Sequence, residues 1–373
     1  MLRSALITLS DGGYRVARPL IFRSSAQTAH EQALDVLRRF DDFDYAQIIM
    51  QAMHRAAFRR QPVRTGTLML PYPLMLAAGF VKGSGFASEN EACAAVLRGQ
   101  NIIPGWRTMP ALVGLVEFGS FTRWPRIGNP GIVLWRDVPN RSTQNRVGLK
   151  NPGARAAAAF LARHRAKLPP MFGINIAVSP GVDDLVQAQQ EVEEAFGFFL
   201  SQGILPTWFT LNISCPNTED DPHGHQTEAH TRQLCATVST RLQGRVPLWV
   251  KVSPGLAPEQ YQILMRVFEE TGVSAVIATN TLAQPAPGQP GVIAGVGGAR
   301  LHLAALETAT LLMREKAKHG YTVDIIGCGG VQDGLTYREY HRAGVQAIQD
   351  WSALLYRGPL AAAILANEAN TYV

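Results

Sequence analysis

The sequence predicts an α/β fold, and three observations lead to that prediction. Short apolar runs of strand length alternate with helical patterns from Leu74 to Gln349. Polar and glycine-rich residues follow nearly every run, as expected when all strand ends face one site. The length of 373 residues suits one barrel with an additional segment. We therefore predict a (β/α)8 TIM barrel with an N-terminal helical extension, and we disfavour the alternative, a doubly wound sheet.

The N-terminal segment, residues 1–62, reads as helical from Arg15 to Arg60. Ala29 to Arg38 and Tyr45 to Phe58 place apolar residues at three- and four-residue spacings, with basic residues between them. Two amphipathic helices are predicted, and Pro62 with the turn that follows sets a boundary to a barrel domain at 63–373. The helices either pack on the barrel or lie on a membrane surface.

The barrel strands are predicted from apolar, β-favouring runs that are bounded by turn residues. The eight runs are residues 74–79, 112–118, 171–176, 208–213, 248–252, 275–279, 323–327 and 347–349.

Composition excludes several classes of protein. Hydrophobic residues make up 46% and charged residues 17%, and no apolar run is long enough to cross a membrane. The start of the chain lacks a signal-peptide core, so we expect no export. The four cysteines show no metal-ligand or disulfide spacing, which fits a reducing cytosol and predicts no metal site. The formal charge of +6 is scattered, and we expect no nucleic acid partner.

The most informative stretch follows the fourth predicted strand, from Thr210 to Thr218. Cys215 comes just past the strand end, and Pro216 ends the strand pattern. A small buried cysteine beside a turn is one interpretation. Asn212 and Asn217 favour another, because two amides beside a thiol can hold a planar ligand that has N–H and C=O edges.

The string Asn-Ile-Ser-Cys-Pro-Asn-Thr, residues 212–218, resembles the active-site loop of dihydroorotate dehydrogenases, flavoproteins that oxidise dihydroorotate to orotate in pyrimidine synthesis. The resemblance implies FMN as cofactor and Cys215 as the base that takes the C5 proton, while the C6 hydride passes to the flavin. A thiol, with a reference pKa of about 8.5, reaches its basic form more readily than a hydroxyl. By the same resemblance, Thr218 relays the proton outward.

Ordered motifs at other strand ends extend the resemblance over residues 15 to 362. They include Ala-Ala-Gly-Phe-Val-Lys at 77–82, Asn-Arg-Val-Gly-Leu-Lys at 145–150, Thr-Asn-Thr at 279–281 and Gln-Asp-Trp-Ser at 349–352. The implied substrate residues are Lys82, Asn145, Asn212, Asn217, Asn280 and Thr281. The implied cofactor residues are Ala78, Gly79, Ser120, Asn175, Asn212, Lys251, Thr279, Gly298, Gly329, Gly330, Trp351 and Ser352.

Some positions depart from the family pattern. Val81 stands where aspartate is usual, Leu149 replaces an aromatic residue, and Lys150 replaces asparagine.

Glycine-rich turns are predicted at 294–298 and 326–331, where backbone N–H groups could meet a phosphate. The polar loop at 219–225 is interpreted as a lid rather than a metal site. The sequence predicts no function for the inserted segment from Gly99 to Pro110.

The N-terminal segment resembles the membrane-associating extension of the class 2 enzymes, which pass electrons to a quinone. This implies that His30 and Arg136 line a quinone tunnel, and that the protein is peripheral on the cytoplasmic face of the cell membrane. Cys215 disagrees with class 2, whose base is normally serine, and matches the soluble class 1. The alternatives are therefore a class 1-like enzyme that uses fumarate or NAD, a dihydropyrimidine oxidoreductase, and a flavin-binding barrel that has lost this activity.

Overall fold

The computed structural model describes residues 2–182, 184–214 and 226–371. Within those ranges, the strands are β1 Val63–Thr65, β2 Leu68–Leu70, β3 Leu74–Leu76, β4 Glu117–Phe121, β5 Leu134–Asp137, β6 Ser142–Asn145, β7 Gly173–Ala177, β8 Trp208–Asn212, β9 Leu248–Val252, β10 Ala275–Ala278, β11 Leu282–Ala286, β12 Gln289–Gly298, β13 Asp324–Cys328 and β14 Ala347–Asp350. The helices there are α1 Leu2–Ile21, α2 Ala26–Asp41, α3 Asp44–Ala57, α4 Glu89–Leu97, α5 Thr108–Val113, α6 Ala154–Arg163, α7 Leu185–Ser201, α8 Glu228–Leu242, α9 Pro258–Glu270, α10 Ala299–His319, α11 Gly334–Arg342, α12 Ser352–Arg357 and α13 Ala361–Thr371.

Eight parallel strands form the predicted barrel, in the order β3-β14-β13-β10-β9-β8-β7-β4. A parallel bridge between Leu76 and Val116 joins the two ends of this sheet. The strands are buried on both faces, because side chains fill the barrel on one side and helices cover the other. The prediction of a (β/α)8 barrel is confirmed.

One predicted strand is shifted. The apolar run at 112–118 was expected to be a strand, but α5 occupies its beginning and β4 starts only at Glu117. Gly114, with a φ of 87°, ends the helix between them. A short apolar run does not distinguish a buried strand from a buried helix, which explains the error.

The predicted glycine-rich turn at 294–298 is also wrong, since these residues form the end of the long strand β12. β12 pairs antiparallel with β6 and β11, and β5 completes a four-stranded sheet. This sheet places Asn145 opposite Gly295. Of the turn predicted at 326–331, residues 326–328 belong to β13, and the chain leaves the strand only at Gly329.

Three helices precede the barrel, where two were predicted. The additional helix, α1, is tied to the C-terminal part of the barrel by buried polar contacts. The Tyr14 hydroxyl donates to the carbonyl of Leu355 at 2.6 Å, and the buried guanidinium of Arg357 pairs with Asp11 at 3.1 Å. The division at residue 62 stays a prediction.

The segment from Gly99 to Pro110 docks against the end of α2. The buried carboxylate of Asp41 accepts hydrogen bonds from the backbone N–H groups of Gly105 at 2.7 Å and Thr108 at 2.9 Å. It also accepts from the Thr108 hydroxyl at 2.8 Å and the Asn101 amide at 2.9 Å. The segment therefore has a structural role, since it fastens the N-terminal helices to the barrel.

No helix in the described part of the chain is long and apolar enough to cross a membrane. The same residues contain no group of three histidine, cysteine or acidic side chains that could hold a metal ion.

Candidate active site

A cavity of about 990 Å³ lies between helices α1 and α2 and the carboxyl ends of the barrel strands. Most of the residues that the sequence singled out line it. From the barrel and its loops these are Ala78, Gly79, Lys82, Ser120, Asn145, Asn212, Lys251, Thr279, Asn280, Thr281, Gly298, Gly329, Gly330, Trp351 and Ser352, and from the helical side and the small sheet they are His30 and Arg136. Residues that are far apart in the sequence are thus brought to one site, as the barrel topology requires.

Three predicted residues, Cys215, Asn217 and Thr218, lie outside the described residues. Of the predicted residues that the structure describes, Asn175 alone does not line the cavity. Asn175 is fully buried in β7, and its side-chain amide donates to Glu117 Oε1 at 2.6 Å. The side-chain oxygen of Asn175, Oδ1, has no hydrogen-bond partner among the described residues.

Ser214, the last described residue before Cys215, is held in place by two asparagine side chains. The Asn280 side-chain amide donates to the backbone carbonyl of Ser214 at 2.5 Å. The side-chain oxygen of Asn212 accepts from the Ser214 N–H at 3.1 Å and from its hydroxyl at 2.9 Å. Asn212 and Asn280 therefore fix the residue that directly precedes Cys215, and both line the cavity.

Glu117 is a central residue that the sequence analysis missed. Its carboxylate is fully buried inside the barrel and accepts from Trp208 Nε1 at 2.9 Å, from the Thr210 hydroxyl at 3.0 Å and from Gln349 Nε2 at 2.8 Å, besides Asn175. Four donors satisfy a buried carboxylate. The contacts link β4, β7, β8 and β14. The only signal in the sequence is an acidic residue within an apolar strand.

Lys251 supplies a buried cation at the end of β9. Its ammonium group lies 3.7 Å from Cys328 Sγ at the end of β13. Burial raises the pKa of the Cys328 thiol, and the nearby Lys251 charge opposes that rise only in part. The thiol is therefore neutral near pH 7. No carboxylate of the described residues lies within 4 Å of this ammonium, so its charge is available to a ligand in the cavity.

The end of the cavity that lies between α1 and α2, the helical end, is more apolar than the end at the barrel strands. His30 on α2 meets Phe80 edge to face at 5.8 Å and lies 6.5 Å from the ring of Trp351. Burial, followed by the charges of Lys82 and Lys150, lowers the pKa of His30 to about 4. The imidazole is thus neutral at physiological pH and offers one donor and one acceptor.

Arg136 lies at the same end. Its guanidinium carbon is 4.4 Å from the ring centroid of Phe22, and Nη2 donates to the carbonyl of Ser24. Its second terminal nitrogen, Nη1, is buried and has no partner among the described residues. Thr281 Oγ1 and Gln349 Oε1, on other walls of the cavity, are likewise without a partner there. Such orphaned polar atoms are what a polar ligand would satisfy.

Comparison with known proteins decides the family. The family model for dihydroorotate dehydrogenase matches residues 104–372. The chain belongs to the dihydroorotate dehydrogenase family. It is 32% identical over 362 residues to a dihydroorotate dehydrogenase (quinone) of Chromobacterium violaceum, covering 93% of this chain and 94% of the relative. It is 30% identical over 364 residues to a protein of the same name from Bordetella avium, again covering 93% and 94%.

The fold matches solved structures of the dihydroorotate dehydrogenase family. A crystal structure from Eimeria tenella, in complex with ferulenol, superposes with a TM-score of 0.68 at 22% identity, covering 89% of this chain and 91% of the other. The ligand-free form from the same organism gives a TM-score of 0.69. At this identity, the likeness supports the shared fold.

The three departures from the pattern of the dihydroorotate dehydrogenase family lie in different surroundings. Val81 is fully buried, and its Cγ2 lies 3.7 Å from where a Cβ on Gly105 would stand, so the segment from Gly99 to Pro110 packs beside it. Leu149 lines the cavity with a positive φ of 53°. Lys150 is exposed and contributes to the positive potential around His30.

Proposed function

We propose that this chain oxidises dihydroorotate to orotate in pyrimidine biosynthesis, with FMN as cofactor and a membrane quinone as electron acceptor. The observation that carries the proposal is the continuity of one cavity. It extends from Lys251, Asn212 and Asn280 at the strand ends to His30 and Arg136 between the helices. A substrate and an acceptor can therefore reach the same cofactor from two directions.

The cavity fits a flavin by the chemistry of its lining. Small residues such as Ala78 and Gly79 let a flat ring approach the backbone, and Gln349 Oε1 and Thr281 Oγ1 are polar atoms without a protein partner among the described residues. The proposed cofactor residues are Ala78, Gly79, Ser120, Asn175, Asn212, Lys251, Thr279, Gly298, Gly329, Gly330, Trp351 and Ser352, and all of them except Asn175 line the cavity. When bound, the flavin supplies the hydride acceptor, and the Lys251 ammonium stabilises the negative charge of the reduced ring.

At the barrel end, the chain's own residues would hold the substrate and move one proton. The residues that bind and orient dihydroorotate are Lys82, Asn145, Asn212, Asn217, Asn280 and Thr281. The Cys215 thiolate removes the proton from C5 as the hydride leaves C6, so a C5–C6 double bond forms. Thr218 passes the proton outward.

At the helical end, His30 and Arg136 would bind the quinone. A neutral imidazole can donate to a quinone carbonyl without adding charge, and Arg136 Nη1 is a buried donor that still lacks a partner among the described residues. Phe80 and Trp351 provide aromatic contact beside them. In this proposal, Trp351 and Ser352 also lie at the edge of the cofactor.

The mouth of the cavity supports peripheral attachment to the cytoplasmic face of the membrane. Leu20 and Val36 line the cavity yet are 61% and 47% exposed. Further exposed apolar residues of the N-terminal segment are Leu9, Val16, Phe43, Tyr45, Ile48 and Ile49. Exposed apolar side chains at the opening would contact lipid and let a quinone enter from the bilayer. Residues 1–62 would thus be the membrane and quinone access segment.

The test is anaerobic mixing of the purified, flavin-loaded protein with dihydroorotate. We expect the flavin absorbance to bleach and to recover when a short-chain quinone is added, but not with fumarate or NAD. Cys215 favours one second candidate, a class 1-like enzyme. Recovery of the flavin absorbance with fumarate or NAD, but not with the quinone, would establish that candidate. Bleaching with dihydrouracil but not with dihydroorotate would indicate a dihydropyrimidine oxidoreductase. A flavin that stays oxidised with both substrates would contradict the proposal.

A further inference from the structure

We propose that Ser214 is a positioning residue for the substrate, because it fixes which atoms the side-chain amides of Asn212 and Asn280 present to the cavity. Asn212 then offers an N–H donor, and Asn280 offers an oxygen acceptor. The inference rests on the proposed function, since it takes the ligand to be the pyrimidine ring of dihydroorotate or orotate. Ser214 belongs to neither the predicted substrate residues nor the predicted cofactor residues.

The main chain of Ser214 decides how both amides are turned. Its N–H can only donate, so the atom of Asn212 that lies 3.1 Å from it is the side-chain oxygen, Oδ1. Its carbonyl can only accept, so the atom of Asn280 that lies 2.5 Å from it is the side-chain nitrogen, Nδ2. Half a turn of either amide would set two donors or two acceptors against each other beside the fully buried Ser214.

The hydroxyl of Ser214 joins the two amides. It accepts from Asn280 Nδ2 at 3.2 Å and donates its one proton to Asn212 Oδ1 at 2.9 Å. Asn212 Nδ2 in turn donates to the Ser120 hydroxyl at 3.3 Å. These four side chains form a directed chain of hydrogen bonds, and Ser214 is the link between its two halves.

The direction of this chain determines what remains for a ligand. Asn212 Nδ2 carries two protons, and Ser120 takes one of them. Asn280 Oδ1 has two lone pairs, and the N–H of Thr281 takes one of them at 2.8 Å. Because both asparagines line the cavity, the other proton and the other lone pair face a ligand as one donor and one acceptor. A ring edge with a carbonyl beside an N–H, like O4 and N3 of orotate, complements this pair.

The first experiment compares orotate with its 4-amino analogue, cytosine-6-carboxylate, by isothermal titration calorimetry of the flavin-loaded native chain. The analogue keeps the carboxylate, but it has an amino donor and a bare ring nitrogen where orotate has an acceptor and a donor. Amides that cannot turn should bind the analogue at least about a hundredfold more weakly. Equal dissociation constants would overturn the inference, whereas a native chain that binds neither ligand would contradict the proposed function itself.

The second experiment removes the hydroxyl with Ser214→Ala. The dissociation constant of orotate should rise about five- to tenfold, because the amides lose their link, while that of the analogue should change less than about twofold. The flavin content per chain should equal that of the native protein. Native-like binding of orotate would overturn the inference. An equal loss for both ligands would do the same, since it indicates general disruption of the site.

Two further variants serve as controls. Ser214→Cys, kept reduced, fills the space of serine with a much weaker donor, so it should bind orotate as weakly as Ser214→Ala. Native-like binding by Ser214→Cys would show that volume and not the hydroxyl matters, and this variant decides if Ser214→Ala does not fold. Ser274→Ala removes a hydroxyl that donates to the carbonyl of Leu248 at 3.0 Å, at the opposite end of the barrel strands, and should bind orotate normally.

Discussion

The two ends of the cavity are built in different ways. At the barrel end, side chains project from strands and are held by buried partners, as Glu117 holds Gln349 and as Asn280 holds the backbone of Ser214. At the helical end, the walls come from α1 and α2, which expose apolar residues to solvent and are fastened to the barrel at a few polar points such as Asp41. The described residues assigned to substrate and cofactor are therefore held by buried hydrogen bonds within the barrel, whereas the residues assigned to the acceptor depend on how the N-terminal helices dock.

The largest effect should come from the barrel end. Cys215→Ala should slow flavin reduction by dihydroorotate about 10³-fold and leave the flavin bound, because the proton acceptor is lost while the cofactor contacts remain. Anaerobic stopped-flow absorbance measures this. Cys93→Ala, which changes a partly buried thiol on α4, is the control and should reduce normally. A near-normal rate in Cys215→Ala would remove this residue from the role of base.

The next largest effect concerns the docking of the helical end. Asp41→Ala leaves several buried donors without an acceptor, which should lower the free energy of unfolding by about 3 kcal/mol. Urea denaturation measures the loss. The matched control is Asp44→Ala, since Asp44 is exposed and pairs only at the surface with Arg107 and Lys167, so a much smaller loss is expected. Equal losses in the two variants would show that the Asp41 contacts do not fasten the helices.

Membrane contact should respond to changes on the exposed helical surface. Ile48→Asp with Ile49→Asp should weaken binding to anionic lipid vesicles by at least about tenfold, because two apolar side chains would be replaced by charges at the lipid surface. Vesicle co-sedimentation measures the partitioning. Leu97→Asp with Leu303→Asp places the same charges at exposed leucines on α4 and α10. If both pairs weaken binding equally, the N-terminal helices are not the contact surface.

The smallest effect should appear in only one of the two half-reactions, the reoxidation of the flavin by quinone, and not in its reduction by dihydroorotate. Arg136→Ala removes a cation and a buried donor at the helical end, so reoxidation by a limiting concentration of quinone should slow about fivefold. Flavin reduction by dihydroorotate should stay unchanged. Arg141→Ala, at an exposed residue that pairs with Asp333, controls for the loss of positive charge. A slower reduction step in Arg136→Ala would contradict the assignment of this residue to the acceptor end.

The sequence predicted the barrel because its strands are apolar runs buried on both faces, and it located the cavity because polar and glycine residues follow those runs. It missed α1, whose Gly12, Gly13 and Pro19 have low helix propensity. It also missed the small antiparallel sheet, since β12 contains glycine and proline rather than an alternating pattern.

The buried polar centres could not be predicted because their partners are distant in the sequence. Trp208 and Gln349, which donate to Glu117, lie 91 and 232 positions away from it. Gly105 lies 64 positions from Asp41. Neither carboxylate has a local motif, so their roles emerge only once the chain has folded.

The most direct test of the two-ended cavity is reoxidation of the reduced flavin by a short-chain quinone, measured by stopped flow with and without saturating orotate. If substrate and acceptor bind at separate ends, orotate should change the reoxidation rate by less than about twofold at every quinone concentration, because two ligands at distinct sites do not exclude one another. Competitive inhibition by orotate would mean that both ligands use the barrel end, and it would contradict the account.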